Sequence, residues 1–475
     1  MPAILIKNGI AITMDRERNV IENTSVLIRD DRIAALGDGD EISANVNLDE
    51  VIDARRMAIL PGLIDSHGHA GHGLIKTLGV GHVGAWVDAC LKVYATGSSA
   101  DFWRAEARLV SLERLKAGVT TSISLMGGGS DLIRNDAPDY VQAYAAAVGE
   151  AGTRAYLAVG PNRPPYPHHF RRLEDGVEKS VDLDQQLEVV ESILTEGGPV
   201  HDGRVQYCLT APVFDADRTK DGLDFAEIKA IFDRVLDQRQ RHNLLFTQDG
   251  HRNGSIAFAD ELGALGRWSL MSHSVDLTAA DIDRARERDA TIIHNPSAIM
   301  SIYGRCPVPE LIDAGVRVVL GSDGAAPDRG YDMFRHMAQA MHYHRRHFRD
   351  PKVLPPGKVL EMVTIDAADG LGLANDFGSL EVGKKADIIL VDLFKPHLLP
   401  LNMPVSRLAH FANAADVDTV VVDGRVLMRG RKVTMVDEVG VLEEAEAQAT
   451  RMLKDNELLP LTKTPADYWR ASRMQ

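Results

Sequence analysis

The chain has 475 residues and a formal net charge of −15, with 45% hydrophobic and 25% charged residues. Such a length points to one large domain plus a smaller one, with the composition of a globular protein. The negative charge argues against a nucleic-acid or anionic-membrane partner, and no apolar run is long enough to span a bilayer. Three scattered cysteines, Cys90, Cys208 and Cys306, give no disulfide framework, so a cytoplasmic protein is expected.

Residues 1–57 read as short strands separated by turns: Ile4-Leu5-Ile6 before Asn8-Gly9, then Ile10-Ala11-Ile12, Val26-Leu27-Ile28 before Asp30-Asp31, and Ile33 to Leu36. Apolar runs between such turns predict a β-meander. The same texture returns at Ala386 to Asp392 and Val417 to Val426. Segments 1–57 and 378–435 are therefore expected to build one small discontinuous β-sandwich domain. A helical extension is expected over 436–475, where Val441 to Leu453 carries Ala, Glu and Leu at helical spacing.

Between them, over 58–377, apolar or β-branched runs alternate with helical patterns. The runs are Leu63-Ile64, Thr121–Leu125, Tyr156–Val159, Val205–Leu209, Leu244–Thr247, Ser269–Ser272, Thr291–Ile293 and Val316–Leu320. Ala105–Ala117 and Phe225–Gln240 have the clearest helical period. Strand and helix alternating in this number predict an α/β chain with a (β/α)8 TIM-type barrel. A doubly wound sheet is the alternative, but no Gly-x-Gly-x-x-Gly follows the first strand.

Chemistry on such a barrel gathers where strands end. The first run leads into His67-Gly68-His69, two imidazoles that share a face of an extended chain and can address one metal ion. Later runs end at Gln248, His273, His294 and Asp323, each about one βα unit from the last. Polar residues recurring once per unit at one rim converge on a common centre, which favours a metal site over coincidence.

At these residues the chain resembles the metal-dependent amidohydrolases, in the group of cytosine, guanine and adenosine-type deaminases and s-triazine hydrolases. The resemblance is carried by Pro61 to His69, Met271-Ser272-His273, His294-Asn295-Pro296-Ser297 and Leu320-Gly321-Ser322-Asp323-Gly324. It extends through Gly378 to Asp387 and Val422-Asp423-Gly424-Arg425, and covers Ile4 to about Leu453. It implies one divalent ion, Zn²⁺ first and Fe²⁺, Mn²⁺ or Co²⁺ as alternatives, held by His67, His69, a strand-five histidine and Asp323. His273 would hydrogen-bond the metal-bound hydroxide, and a Glu three residues past the strand-five ligand would shuttle the proton. It also implies a homodimer or higher homo-oligomer and a small-molecule substrate.

One segment departs from that pattern. Strand five runs Leu245-Phe246-Thr247-Gln248-Asp249-Gly250-His251, so Gln248 falls at the ligand position and His251 at the acid position. Glutamine is a poor ligand for zinc. Either Gln248 binds weakly with His251 as shuttle, or the metal shifts toward His273, or His251 or His72 swings in. The favoured set is metal ligands His67, His69, His273 and Asp323, catalytic residues His251, His273 and Asp323, and substrate contacts His72, His294 and Gln248. No lysine closes strand four at Cys208-Leu209-Thr210, so one metal is expected rather than a lysine-bridged pair.

Other features read as structure or remain open. Trp86 and Glu113 are expected to pack. The proline-rich loop Gly160 to Phe170 presents Tyr166 or His168 to a pocket or forms a rigid surface. His342, His344 and His347 read as an exposed basic face, and Cys306 is the one cysteine expected near the barrel mouth. The activity expected is hydrolysis of a non-peptide C–N bond, foremost deamination of an amino-substituted heterocycle. Displacement of an alkylamine, chloride or thiocarbamate from a related centre is the second enzyme reading. A metal-poor binding homologue that lost catalysis is the alternative of another class.

Overall fold

Val119–Leu125 is buried along its whole length, which requires cover on both faces and favours a parallel strand flanked by helices. Seven further short strands share this environment: Leu63–Asp65, Arg154–Val159, Val205–Thr210, Phe246–Gln248, Ser269–Ser272, Thr291–His294 and Arg317–Leu320. The computed structural model, which describes residues 3–128, 132–215, 222–465, 468–470 and 472–473, pairs these eight in sequence order. The pairs are parallel. The first and last meet where the Ser66 N–H donates to the Leu320 carbonyl at 3.1 Å and the Asp323 N–H to the His67 carbonyl at 3.0 Å. This is the expected TIM-type barrel.

The helices start and stop where local chemistry dictates. Phe225–His242 opens on a capping box of Asp224 and Glu227 and ends on Asn243 in the left-handed region. Ala100–Lys116 is followed by Gly118 at φ +78°, a conformation that favours glycine.

Both chain ends build a second, nine-stranded sheet. Its joint is the antiparallel pairing of Met57–Pro61 with Ile388–Asp392, Pro61 opposite Ile388. Ala3–Ile12 pairs through its first half with Glu50–Asp53 and through its second with Met57–Pro61. The register shifts around Gly9. Ile4, Ile6 and Ile52 then share one apolar core with Ile59, Ile388, Leu390 and Val421. Met57–Pro61 runs into barrel strand one across the single residue Gly62, whose position allows no Cβ: it would lie 2.1 Å from Thr120 Oγ1. Near the C-terminus, helix Glu438–Asp455 lies against Ala100–Lys116 with ion pairs Arg108–Glu444 and Lys116–Glu438.

Two expectations change. The loop after strand three carries a short hairpin, His168–Arg171 with Glu178–Val181; Tyr166 donates to the Asn162 carbonyl at 2.7 Å and His168 Nε2 faces the Arg163 carbonyl at 2.6 Å. Both side chains are thus engaged by their own loop. Of the three helix histidines, His342 and His347 are exposed, but His344 is buried with its ring 5.1 Å from His294. Among the described residues no helix is long and apolar enough to cross a membrane.

Candidate metal centre and its cavity

His67 and His69 follow barrel strand one at alternate positions. Gly68 separates them because a Cβ there would stand 2.6 Å from Arg114 Nη2. His69 Nδ1 faces the Gly127 carbonyl at 2.9 Å, an N–H donor arrangement that leaves Nε2 toward Asp323 Oδ1 at 3.2 Å. His67 Nε2 lies 3.2 Å from Asp249 Oδ1 and 3.8 Å from Asp323 Oδ1. The ligand atoms of His67, His69, Asp249 and Asp323, all buried, lie within 4.8 Å of one another. Donors around a tetrahedral ion with bonds of ~2.1 Å are ~3.4 Å apart, so two imidazoles and two carboxylates at these separations fit a divalent ion.

His273 adjoins this group, Nε2 2.7 Å from Asp249 Oδ1 and 3.6 Å from Asp323 Oδ1. His273 and Asp323 both have left-handed backbones, φ +66° and +63°, conformations that cost about 1–3 kcal/mol each and collect at functional sites. The floor beneath them is polar and paired. Asp65 accepts from the Ser322 N–H and hydroxyl, each at 2.8 Å, and from Arg114 at 3.0 Å. Arg329, buried, points Nη2 at Asp323 Oδ2 from 3.4 Å.

These charges set protonation. Burial alone would raise the Asp323 carboxyl, but Arg329 and His273 outweigh it and hold it below the usual range. Burial likewise opposes ionisation of Asp249, and His273 and His67 reverse it. The His273 imidazole is raised because the two carboxylates overcome its desolvation.

The residues expected at the site are distributed unevenly. A cavity of about 290 Å³ has His69, Asp249, His273 and Asp323 at its inner end and is lined further by His72, Trp86 and Arg329. His72 stacks on His69 with centroids 4.6 Å apart, and its two ring nitrogens are buried without a hydrogen-bond partner. Trp86 meets the His72 ring edge-on at 5.1 Å, so it both packs and faces the cavity. Gln248 lies outside the lining: its amide nitrogen donates to the carbonyls of Ala211 and Pro212 at 3.2 and 2.9 Å. The strand-five residue that joins the cluster is the next one, Asp249.

His251 also differs from expectation. Its Nδ1 engages Ser255 at 2.9 Å, it does not line the cavity, and burial pushes its imidazole down to about 3. Burial thus favours the neutral ring, away from the near-neutral range on which the shuttle reading rested. His294 is fully buried beside His344 and Tyr343, outside the lining. Cys90, rather than Cys306, borders the cavity. Sequence reasoning missed Asp249 and Arg329. Asp249 was adjacent to the position considered and is a competent ligand type; no local pattern marked Arg329.

Comparison with known proteins bears on the family and the fold. The Amidohydrolase family matches residues 237–427. A 5'-deoxyadenosine deaminase of Methanosarcina acetivorans is 30% identical over 95% of this chain and 99% of its own. A 5-methylthioadenosine/S-adenosylhomocysteine deaminase of Desulforudis audaxviator is 31% identical over 90% of this chain and 95% of its own. Among solved structures, an adenosine deaminase from Xanthomonas campestris with bound zinc superposes with a TM-score of 0.79 at 20% identity, covering 95% of this chain and 98% of that one. Atrazine chlorohydrolase TrzN from Arthrobacter aurescens, complexed with zinc, gives 0.76 at 22% identity over 94% and 100%. These two likenesses concern the fold. With a relative at this identity along nearly its full length, the chain belongs to the metal-dependent amidohydrolase family, hydrolases of carbon–nitrogen bonds other than peptide bonds.

Proposed function

We propose that the protein hydrolytically deaminates an amino-substituted, purine-like heterocycle, using one divalent ion, zinc in the first instance, held by His67, His69, Asp249 and Asp323 with His273 alongside. The observation that carries the reading is the convergence of those four ligand atoms within 4.8 Å at the inner end of a cavity. The deaminase relatives supply the ring class.

Once bound, the ion supplies a water acidic enough to attack near neutral pH. Asp323, kept ionised beside Arg329, accepts the proton released as water adds to the ring carbon. His273 lines the cavity and donates a hydrogen bond to the attacking oxygen. The departing nitrogen takes up the proton that Asp323 accepted and leaves as ammonia, and the hydroxyl's remaining proton moves to the neighbouring ring nitrogen as the carbonyl forms, so water and amine become ring carbonyl and ammonia. His251, neutral and turned to Ser255, orients its loop and moves no proton.

Metal content and ammonia release test the reading together. The native protein is expected to carry about one divalent ion per chain, Asp249→Ala to lose most of it, and Gln248→Ala to keep it. The metal-loaded enzyme is expected to release ammonia from aminopurines in step with ring product. No ammonia from any aminopurine, aminopyrimidine or aminotriazine by a metal-loaded sample would sink the deaminase reading. Metal retained in Asp249→Ala would remove Asp249 from the ligand set.

A further inference from the structure

The outer part of the cavity has a chemistry that the metal centre does not explain. Helix Val83–Thr96 flanks it, and Val83, Val87 and Leu91, spaced i, i+4, i+8, fall on the helix face that borders the cavity together with Trp86. Val83, Val87 and Leu91 remain 40%, 44% and 38% exposed although each is apolar. Ile299 and Met300, beyond strand seven, line the same space. Exposed apolar side chains gathered on one wall of a concave site, rather than scattered, mark a surface that a ligand covers. Between this wall and the ligand cluster sits His72, its ring stacked on His69 and its two nitrogens buried, so that it separates the two regions and offers no polar atom to the outer space. The cation in the lining, Arg329, is already directed at Asp323 and at the carbonyls of Gly324 and Ala326.

We propose that Val83, Trp86, Val87 and Leu91, together with Ile299 and Met300, select a heterocycle bearing an apolar alkyl or aryl substituent. The inference rests on the deaminase reading for the ring and its leaving group, but the wall itself is read from the cavity. Burying each methylene of a substituent against such a wall tightens binding about fourfold until the space is filled.

The test uses the metal-loaded protein and a series of 9-alkyl adenines of rising chain length, with 9-benzyladenine and 5'-deoxyadenosine alongside. Affinity is measured by titration calorimetry, which needs no turnover, and ammonia release is measured in parallel. Affinity is expected to rise two- to fourfold per methylene, and 9-benzyladenine to bind at least tenfold tighter than 5'-deoxyadenosine. Val87→Asp is expected to flatten the series, and Val87→Leu to keep its slope. A flat series in the native protein, or tighter binding of 5'-deoxyadenosine, overturns the inference. A steep series with no ammonia from these adenines or from any other aminopurine, aminopyrimidine or aminotriazine upholds the wall and overturns the deaminase reading instead.

Discussion

Glu106 is a carboxyl that the chemistry does not use and whose ionisation the fold opposes. It is fully buried, accepts the Gly73 N–H at 2.9 Å through Oε1, and has an Oε2 without a partner. Burial pushes it up to about 7 despite the Gly71 and Gly73 amides that favour the charged form. A carboxyl raised in the folded state stabilises most below its unfolded value, and that contribution is lost as pH rises toward about 7. Acid to neutral, the loss approaches about 3 kcal/mol. Glu106→Gln is therefore expected to match the native protein at pH 5 and to exceed it in stability at pH 8, as read from urea midpoints. Equal pH dependence in the two proteins would mean that Glu106 is ionised in the fold. Because Gly73 lies in the turn His72–Ile75, the same carboxyl helps hold His72 at the cavity. This role was not legible in the sequence, since it depends on burial by elements far apart in the chain. Asp249 was nearly legible. Its type and strand were evident, but which of two neighbouring side chains reaches the centre depends on Gln248 being held by the carbonyls ending strand four.

At the scale of elements, helix Ala100–Lys116 does more than cover the barrel. From its last turn Arg114 reaches Asp65 at 3.0 Å and Ser124 at 2.9 Å, with its guanidinium 4.2 Å from the Tyr331 ring centroid. Asp65 in turn binds Ser322, so one side chain joins the ends of strands one, two and eight. Arg114→Met would leave Asp65 buried without its cation, at a cost of about 3–5 kcal/mol. Denaturant titration is expected to show that loss, with lower metal occupancy at equal protein concentration. A loss under ~1 kcal/mol would mean the pair is not a structural tie. The strands themselves were legible at all eight positions, because buried parallel strands read as short apolar runs between polar turns. The hairpin at His168–Arg171 was not. The prolines before it and its own two histidines carry no alternating pattern, and its partner strand lies in a charged segment.

Across the whole molecule, the two chain ends meet in contacts with no room to spare. Gly424, at φ +69°, turns against the Asp30-Asp31 corner so closely that a Cβ would lie 1.7 Å from the Asp30 carbonyl oxygen. Arg154 at the base of strand three pairs with Asp387 at 2.7 Å and with Asp423, binding the barrel to the sheet. Gly424→Ala is expected to cost about 1–3 kcal/mol and to lower the melting temperature by several degrees without changing metal content per folded chain. An unchanged melting temperature would show that the corner relaxes freely. Pairing of the two ends was readable from their shared texture of short apolar runs and Asp-Gly turns. The division of Ala3–Ile12 between Glu50–Asp53 and Met57–Pro61 was not, because two short strands share one edge of it and no local pattern says where one partner gives way to the other.

That joint also has a consequence for how the chain is made. Met57–Pro61 pairs early with Ala3–Ile12 but finds its second partner only at Ile388–Asp392, roughly 330 residues later, which at ribosomal speeds of about 5–20 residues per second is a wait of about 15–65 s. During that interval the early strands present an open, apolar edge while the barrel emerges behind them. A nascent chain of this design is expected to need its longest protection, by ribosome or chaperone, not at the metal loop but at its first sixty residues.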